Sequence, residues 1–157
     1  MGTARYAILT ISDKGSRGER EDLSGEVIRD AVSAMRAEVA IYEIVPDEET
    51  EIRERLVRWA DDLKVDVVLT TGGTGLAPRD VTPTATLAVI DYEVPGLPEA
   101  MRMESLKKTP NAMLSRSGGR SARANAGGQP PWQPQGSPGV PGGDPAGVAS
   151  RRRNPSR

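Results

Sequence analysis

Apolar and polar positions alternate in blocks along the first two thirds of the chain. Tyr6 to Ile11 is an apolar run that fits a strand buried on both faces. The polar loop Ser12-Asp13-Lys14-Gly15-Ser16-Arg17-Gly18 follows it. Leu23, Val27, Ile28, Ala31, Val32 and Met35 then recur at helical spacing behind Asp22 or Ser24, either of which can cap a helix. Val39 to Val45 predicts a second strand, closed by Pro46-Asp47-Glu48-Glu49. Ile52, Leu56, Trp59, Ala60 and Leu63 predict one face of the next helix, and Val65 to Leu69 a third strand. A helix over Thr84 to Ile90 has Thr82 as a good N-cap and Pro83 as a good first residue. Tyr92 to Gly96 breaks the chain, and Leu97 to Leu106 predicts a further short helix. Strands and helices in alternation predict an α/β domain whose parallel sheet is covered on both faces.

Between the third strand and its helix lies the most specific stretch, Thr70-Thr71-Gly72-Gly73-Thr74-Gly75-Leu76-Ala77-Pro78-Arg79-Asp80-Val81-Thr82-Pro83. Open α/β sheets place phosphate ligands in such strand-to-helix loops. Glycines let backbone N–H groups approach an anion, and threonine hydroxyls add donors. Arg79 can grip a phosphate oxygen or pair with Asp80, and Asp80 can hold a metal ion or orient a nucleophile. No Gly-Lys-Ser/Thr follows, so this is not a P-loop. Pro78 stands where the third glycine of G-x-G-x-x-G belongs. A Gly-Gly-Thr-Gly turn alone is commonly just a tight turn, and the longer string supplies the specificity.

Composition narrows the chemistry. The 157 residues contain neither histidine nor cysteine. Ser-His-Asp and Cys-His catalysis, Cys/His zinc sites and a disulfide framework are thereby excluded. Proton transfer and metal binding fall to carboxylates, hydroxyls, lysine or the substrate, and oxygen ligands suit magnesium. No zinc or haem site is expected. No apolar run resembles a signal peptide or approaches membrane-spanning length, so the expectation is a cytoplasmic protein with no membrane partner.

The overall net charge of −1 divides unevenly: residues 1–117 carry a net of −6 and residues 118–157 a net of +5. Residues 118–157 hold nine Gly and seven Pro, and Trp132, Val140 and Val148 as their large apolar side chains. Such a composition predicts disorder. Three successive arginines, Arg151 to Arg153, are a weak signal for nucleic acid, and no nucleic-acid partner is expected. The expected organisation is one α/β domain over 1–116 and a Gly/Pro/Arg-rich tail over 117–157.

Ile11-Ser12-Asp13-Lys14, Asp22-Leu23-Ser24-Gly25, Val45-Pro46-Asp47-Glu48, the Thr70–Pro83 string, Pro95-Gly96 and Leu114-Ser115-Arg116 together resemble the molybdopterin-binding MogA/MoaB family, most closely its adenylyltransferases. The resemblance spans about residues 4–116. It implies a three-layer α/β/α domain that assembles as a homotrimer. It also implies an enzyme of molybdenum cofactor biosynthesis, in which molybdopterin attacks the α-phosphate of Mg-ATP to give adenylyl-molybdopterin and pyrophosphate. The implied partners are molybdopterin, ATP and the molybdate-inserting enzyme that uses the product. By resemblance, Thr71, Gly72, Gly73, Thr74 and Gly75 grip the pterin's terminal phosphate, with Arg79 as a further phosphate ligand. Asp47 and Asp80 fall on acidic positions that the family needs for activity, and each is a candidate magnesium ligand. From the residues alone, Asp47 reads as a helix cap and Asp80 as a salt-bridge partner of Arg79. Ser12 and Asp13 line the same sheet edge, where capping is an equal alternative.

After Leu-Ser-Arg the family continues with a strand, an Asn-Leu-Pro-Gly-Ser-Pro-Lys loop and a closing helix, none of which is spelled by this reading frame. Asn125 to Gly136 (N-A-G-G-Q-P-P-W-Q-P-Q-G) has codons that, shifted by one nucleotide, spell T-L-V-V-N-L-P-G-S-P. Trp132 has the single codon TGG, whose shifted reading begins GG and encodes the expected glycine. The expectation is therefore a C-terminally incomplete fold, uncovered apolar faces, an open sheet edge and a tail translated out of frame.

Overall fold

A computed structural model describes residues 3–116 and the backbone of Arg120–Ser121. Three parallel strands form the central sheet: β1 (Arg5–Ile11), β2 (Glu38–Val45) and β3 (Val67–Thr71), in the order β2-β1-β3. Helix α1 (Asp13–Ser16) is a single turn and α2 (Leu23–Ala34) crosses from β1 to β2. Helix α3 (Glu49–Val57) runs into a π-helical turn, Arg58–Asp62, before β3. Then come α4 (Thr82–Leu87), β4 (Tyr92–Glu93), α5 (Gly96–Leu106), a 3-10 turn at Pro110–Leu114, and β5 (Arg120–Ser121), which pairs antiparallel with β4.

Side chains on β1 alternate between the two faces of the sheet. Ala7, Leu9 and Ile11 are buried with Val45, Ile52, Leu56, Trp59 and Ala85, so α3 and α4 cover that face. Ile8 points to the opposite face, where α2 lies against β1 and β2 and buries Val32. The expected three-layer α/β/α arrangement is present.

Helix α2 departs from its expected apolar face. Gly25 and Val32 are buried, whereas Leu23, Val27 and Met35 are each at least 60% exposed. Only one narrow line of the helix meets the sheet. A side chain at position 25 would collide with Asp22 and Tyr42, so glycine lets the helix approach this closely. Among the described residues, β3 pairs with β1 alone, which leaves its second edge open. The expected tail lies outside the described residues, apart from the backbone of β5.

The third strand begins two residues later than its apolar run. The Val65 N–H donates to the Trp59 carbonyl, and the ladder with β1 runs from Tyr6–Val67 to Thr10–Thr71. Thr70 and Thr71 are thus strand residues. The helix after the loop starts at Thr82 rather than Thr84, with Val81 at its N-cap position.

Candidate functional site

Parallel strands bring their C-terminal ends to one edge, and the loops after β1, β2 and β3 meet there. Ser12 caps α1, its hydroxyl accepting from the Gly15 N–H at 3.0 Å. The capping alternative for Ser12 is therefore realised. Asp13 and Asp47 clasp one another: the Asp13 N–H donates to Asp47 Oδ2 and the Asp47 N–H donates to Asp13 Oδ1, both at 3.0 Å. Asp47 does not cap α3, because Glu48 holds that position and makes no side-chain cap bond.

Arg79 does not pair with Asp80. Its Nη2 donates to both carboxylate oxygens of Asp13 at 2.7 Å, and its Nη1 donates to Glu48 Oε1 at 3.0 Å. This guanidinium ties the loops after all three strands together. A rigid planar fork suits such a bidentate pair. Asp80 instead folds back on its own turn, its Oδ2 accepting from the Ala77 N–H at 2.8 Å. Asp47 and Asp80 make no ion pair among the described residues.

The electrostatics follow from these contacts. The Arg79 hydrogen bond holds the Asp13 carboxyl below its ordinary value, with help from the Asp47 N–H. Burial pushes Asp47 up, and the negative charges of Asp13 and Asp80 add to that rise against the Asp13 N–H and Arg79.

The glycine loop is shaped by close approach. Gly72 has φ +92°, and a Cβ there would lie 2.1 Å from the Ile11 carbonyl oxygen. Gly73 has φ +60°, and its Cβ would meet Thr82 Oγ1 at 2.5 Å and Asp47 Oδ1 at 3.0 Å. Only glycine fits both positions. Thr82 staples the loop from below. Its hydroxyl donates to the Gly72 carbonyl at 2.9 Å and its N–H to the Gly73 carbonyl at 3.2 Å. The Thr82 hydroxyl is thus turned into the loop instead of capping α4.

Among the described residues, no group accepts a hydrogen bond from the N–H of Gly73, Thr74, Gly75 or Leu76. Four successive free amides beside a strand end are the makings of an anion cradle. Thr71 stands at the end of β3, two residues before this cradle, so the free donors are centred on 73–76 rather than 71–75.

Two residues outside the predicted set also shape the site. Glu48 takes the second arm of Arg79. Arg116 reaches back to the loop, its Nε donating to the Gly75 carbonyl and its N–H to the Thr74 carbonyl. Its presence in the Leu-Ser-Arg string was the available sign. No group of three or more acidic side chains suited to a metal ion occurs among the described residues, and no described helix is long and apolar enough to cross a membrane.

A family profile described as a probable molybdopterin binding domain matches residues 7–142. The molybdopterin adenylyltransferase of Helicobacter pylori is 45% identical over 118 residues, which cover 74% of this chain and 67% of that protein. The Escherichia coli K12 protein of the same name is 42% identical over 118 residues, which cover 74% of this chain and 60% of that protein. Among solved structures, the molybdopterin biosynthesis enzyme MoaB from Thermus thermophilus superposes with a TM-score of 0.69 at 53% identity, covering 74% of this chain and 73% of that one. The tungsten cofactor synthesizing protein MoaB from Pyrococcus furiosus gives a TM-score of 0.70 at 36% identity, covering 78% of this chain and 75% of that one. With its three-strand edge, its glycine loop and these relatives, the chain belongs to the molybdopterin-binding domain family of molybdenum cofactor biosynthesis.

Proposed function

We propose that the chain is a molybdopterin adenylyltransferase. In this reading an oxygen of molybdopterin's terminal phosphate attacks the α-phosphorus of ATP. A new P–O bond forms, the α–β bridging bond breaks, and pyrophosphate leaves. Such a reaction asks for positioning and charge neutralisation more than for acid–base groups, which suits a chain without histidine.

The observation that carries the reading is the row of free amides from Gly73 to Leu76, set between two carboxylates with no cationic partner among the described residues. The amides suit the pterin phosphate. Asp47 and Asp80 suit magnesium, which typically takes one or two carboxylates together with substrate phosphates and water. Their oxygen chemistry fits the ion, and when bound it would neutralise phosphate charge. Arg79 is occupied by Asp13 and Glu48, so its role in this reading is to hold the edge together, not to grip the phosphate. Homotrimeric assembly and a cytoplasmic location belong to the same reading.

The test is pyrophosphate release by the purified chain with Mg-ATP, with and without molybdopterin. Molybdopterin-dependent release is expected, weak in the chain with its present tail and restored by the frame correction described below. Binding of molybdopterin without release would make the chain a binding module of the same fold. Light scattering checks the trimer.

A second reading concerns the domain boundary: residues 117–157 are an out-of-frame product of a gene whose correct frame completes the domain. Its support is the shifted frame of Asn125 to Gly136, together with the exposed line of α2 and the open edge of β3. Sequencing the gene from codon 110 past the stop decides it. A one-base correction that restores Asn-Leu-Pro-Gly-Ser-Pro is expected, and the absence of that string from both alternate frames ends the idea.

A further inference from the structure

Arg116 touches the glycine loop at three points, although it lies far from it in sequence. Its backbone N–H donates to the Thr74 carbonyl at 2.9 Å, its Nε to the Gly75 carbonyl at 2.7 Å and its Nη2 to the Asp80 carbonyl at 2.5 Å. The guanidinium therefore spans both ends of the segment from Gly75 to Asp80. That segment is closed internally by the Asp80 N–H to the Ala77 carbonyl and the Ala77 N–H to the Asp80 carboxylate. The preceding residue adds a contact, with Ser115 Oγ 3.4 Å from Thr74 Oγ1. Arg116 and Asp80 also line one concavity with Ala77, Val81 and Thr84.

The loop has few other ties on this side. Thr82 fixes Gly72 and Gly73 from the sheet side, and Arg79 anchors the far end to Asp13 and Glu48. Between those anchors, the carbonyls of Thr74, Gly75 and Asp80 are held by Arg116 alone among the described hydrogen bonds. A peptide's carbonyl and N–H point in opposite directions, so fixing the Thr74 and Gly75 carbonyls also fixes the directions of the Gly75 and Leu76 amides. These are two of the four free donors. The Asp80 carbonyl contact fixes the backbone from which the Asp80 carboxylate projects.

We propose that Arg116 is a positioning residue for adenylyl transfer: it pre-sets the Gly75 and Leu76 amides and Asp80 as one unit before substrate arrives. The inference rests on the adenylyltransferase reading. Pre-set donors cost no reorganisation when the anion binds, so their loss falls first on affinity for the phosphate-bearing substrate. Arg116→Ala is expected to raise the KM for molybdopterin about tenfold or more, as for loss of a charge-assisted hydrogen bond, and to lower kcat by less. Arg116→Lys keeps the charge but cannot span both carbonyls, and should recover part of the KM.

Hydrogen–deuterium exchange of the full-length chain provides a readout that does not depend on turnover. The hydrogen-bonded amides of Ala77, Asp80 and Val81 should exchange faster in Arg116→Ala, while those of β1 and α3 keep the rates of the parent chain. Unchanged exchange in the loop overturns the inference, whether or not the parent chain is active. Faster exchange with an unchanged KM in an active enzyme overturns it too, because Arg116 would then hold a loop that catalysis does not need. A parent chain without pyrophosphate release counts against the adenylyltransferase reading, and the exchange result then decides the positioning role separately. If Arg116→Ala fails to fold, Arg116→Lys carries both measurements.

Discussion

Asp13 and Asp47 each accept the other's backbone N–H, at 3.0 Å in both directions. The clasp joins the end of β1 to the end of β2, and Arg79 completes it from the loop after β3. Asp13→Ala leaves the Asp47 N–H without its acceptor and Arg79 without its bidentate partner. Pyrophosphate release is expected to fall about tenfold, in keeping with loss of a charged hydrogen bond. Asp13→Asn keeps an acceptor for the Asp47 N–H and should fall less. Equal losses in the two variants would mean that the charge, and not the clasp, is what matters.

Asp47 and Asp13 are shifted in opposite directions, which makes the pH dependence testable. Burial raises Asp47, and Arg79 lowers Asp13. As pH falls, Asp47 therefore takes up its proton first, while Asp13 is still ionised. If ionised Asp47 is required, the acid limb of the pH–rate profile lies above the ordinary carboxylate value of 3.8. Asp13→Asn removes a neighbouring negative charge and should move that limb to lower pH. The stability signs are opposite as well. The contribution of Asp13 is present above its unfolded pKa and is lost as pH falls through its lowered folded value. That of Asp47 is present at low pH and is lost as pH rises through its raised one.

Gly72 has both a left-handed φ and a neighbour that forbids a side chain. Gly72→Ala places a methyl 2.1 Å from the Ile11 carbonyl oxygen at φ +92°. The backbone must shift, and a loss of about 2–4 kcal/mol is expected from strain and overpacking together. Thermal unfolding measures it. Gly18→Ala is a useful control, since Gly18 has φ +71° but open space around its Cβ position. Its smaller loss would isolate the cost of the clash.

Much of this architecture was legible because periodicity and burial coincide. The odd positions Ala7, Leu9 and Ile11 meet the Ile52, Leu56 and Trp59 stripe, as a buried strand beside an amphipathic helix should. Ser12, Asp13, Asp80 and the glycines were legible at one sheet edge, because parallel strands carry all their C-terminal loops there, whereas Asp47 entered only through the family resemblance. What stayed hidden was partner choice. Arg79 and Asp80 are adjacent in sequence, yet Arg79 bonds to Asp13 and Glu48, which only the packing of three loops brings near. Arg36 and Lys64 turn the chain with φ of +57° and +50°, where glycine would have been the sequence signal. The expected face of α2 erred because periodicity names the apolar positions but not which of them another element covers.

Thr82 tests the staple under the glycine loop. Thr82 is nearly fully buried, and its hydroxyl donates to the Gly72 carbonyl. Thr82→Val preserves shape while leaving that carbonyl unpaired, at a cost of about 1–2 kcal/mol. Thr82→Ser keeps the hydroxyl and should retain the bond. A Val variant as stable as the parent chain would show that the hydroxyl adds nothing to the loop.

Tyr42 offers a spectroscopic reporter at the base of α2. Its hydroxyl donates to Asp22 Oδ2, while Asp22 Oδ1 caps the helix by accepting from the Gly25 N–H at 2.9 Å. Burial and the Asp22 carboxylate push the Tyr42 phenol up to about 12. Burial also raises Asp22, but hydrogen bonding from the groups around it, Tyr42 and the Gly25 amide among them, more than offsets that and leaves it lowered. Ultraviolet titration of the phenolate should show one tyrosine ionising near 12, a step absent from Tyr42→Phe. The stability tied to Tyr42 is present below its unfolded pKa of about 10 and is lost as pH rises through the folded value. That of Asp22 is present above its unfolded value and is lost as pH falls through the folded one. Asp22→Ala removes the cap and the phenol's acceptor together, and should cost about 2 kcal/mol at neutral pH. In that variant the late phenolate step should also move toward the ordinary value of about 10, and a step that stayed in place would assign the shift to burial alone.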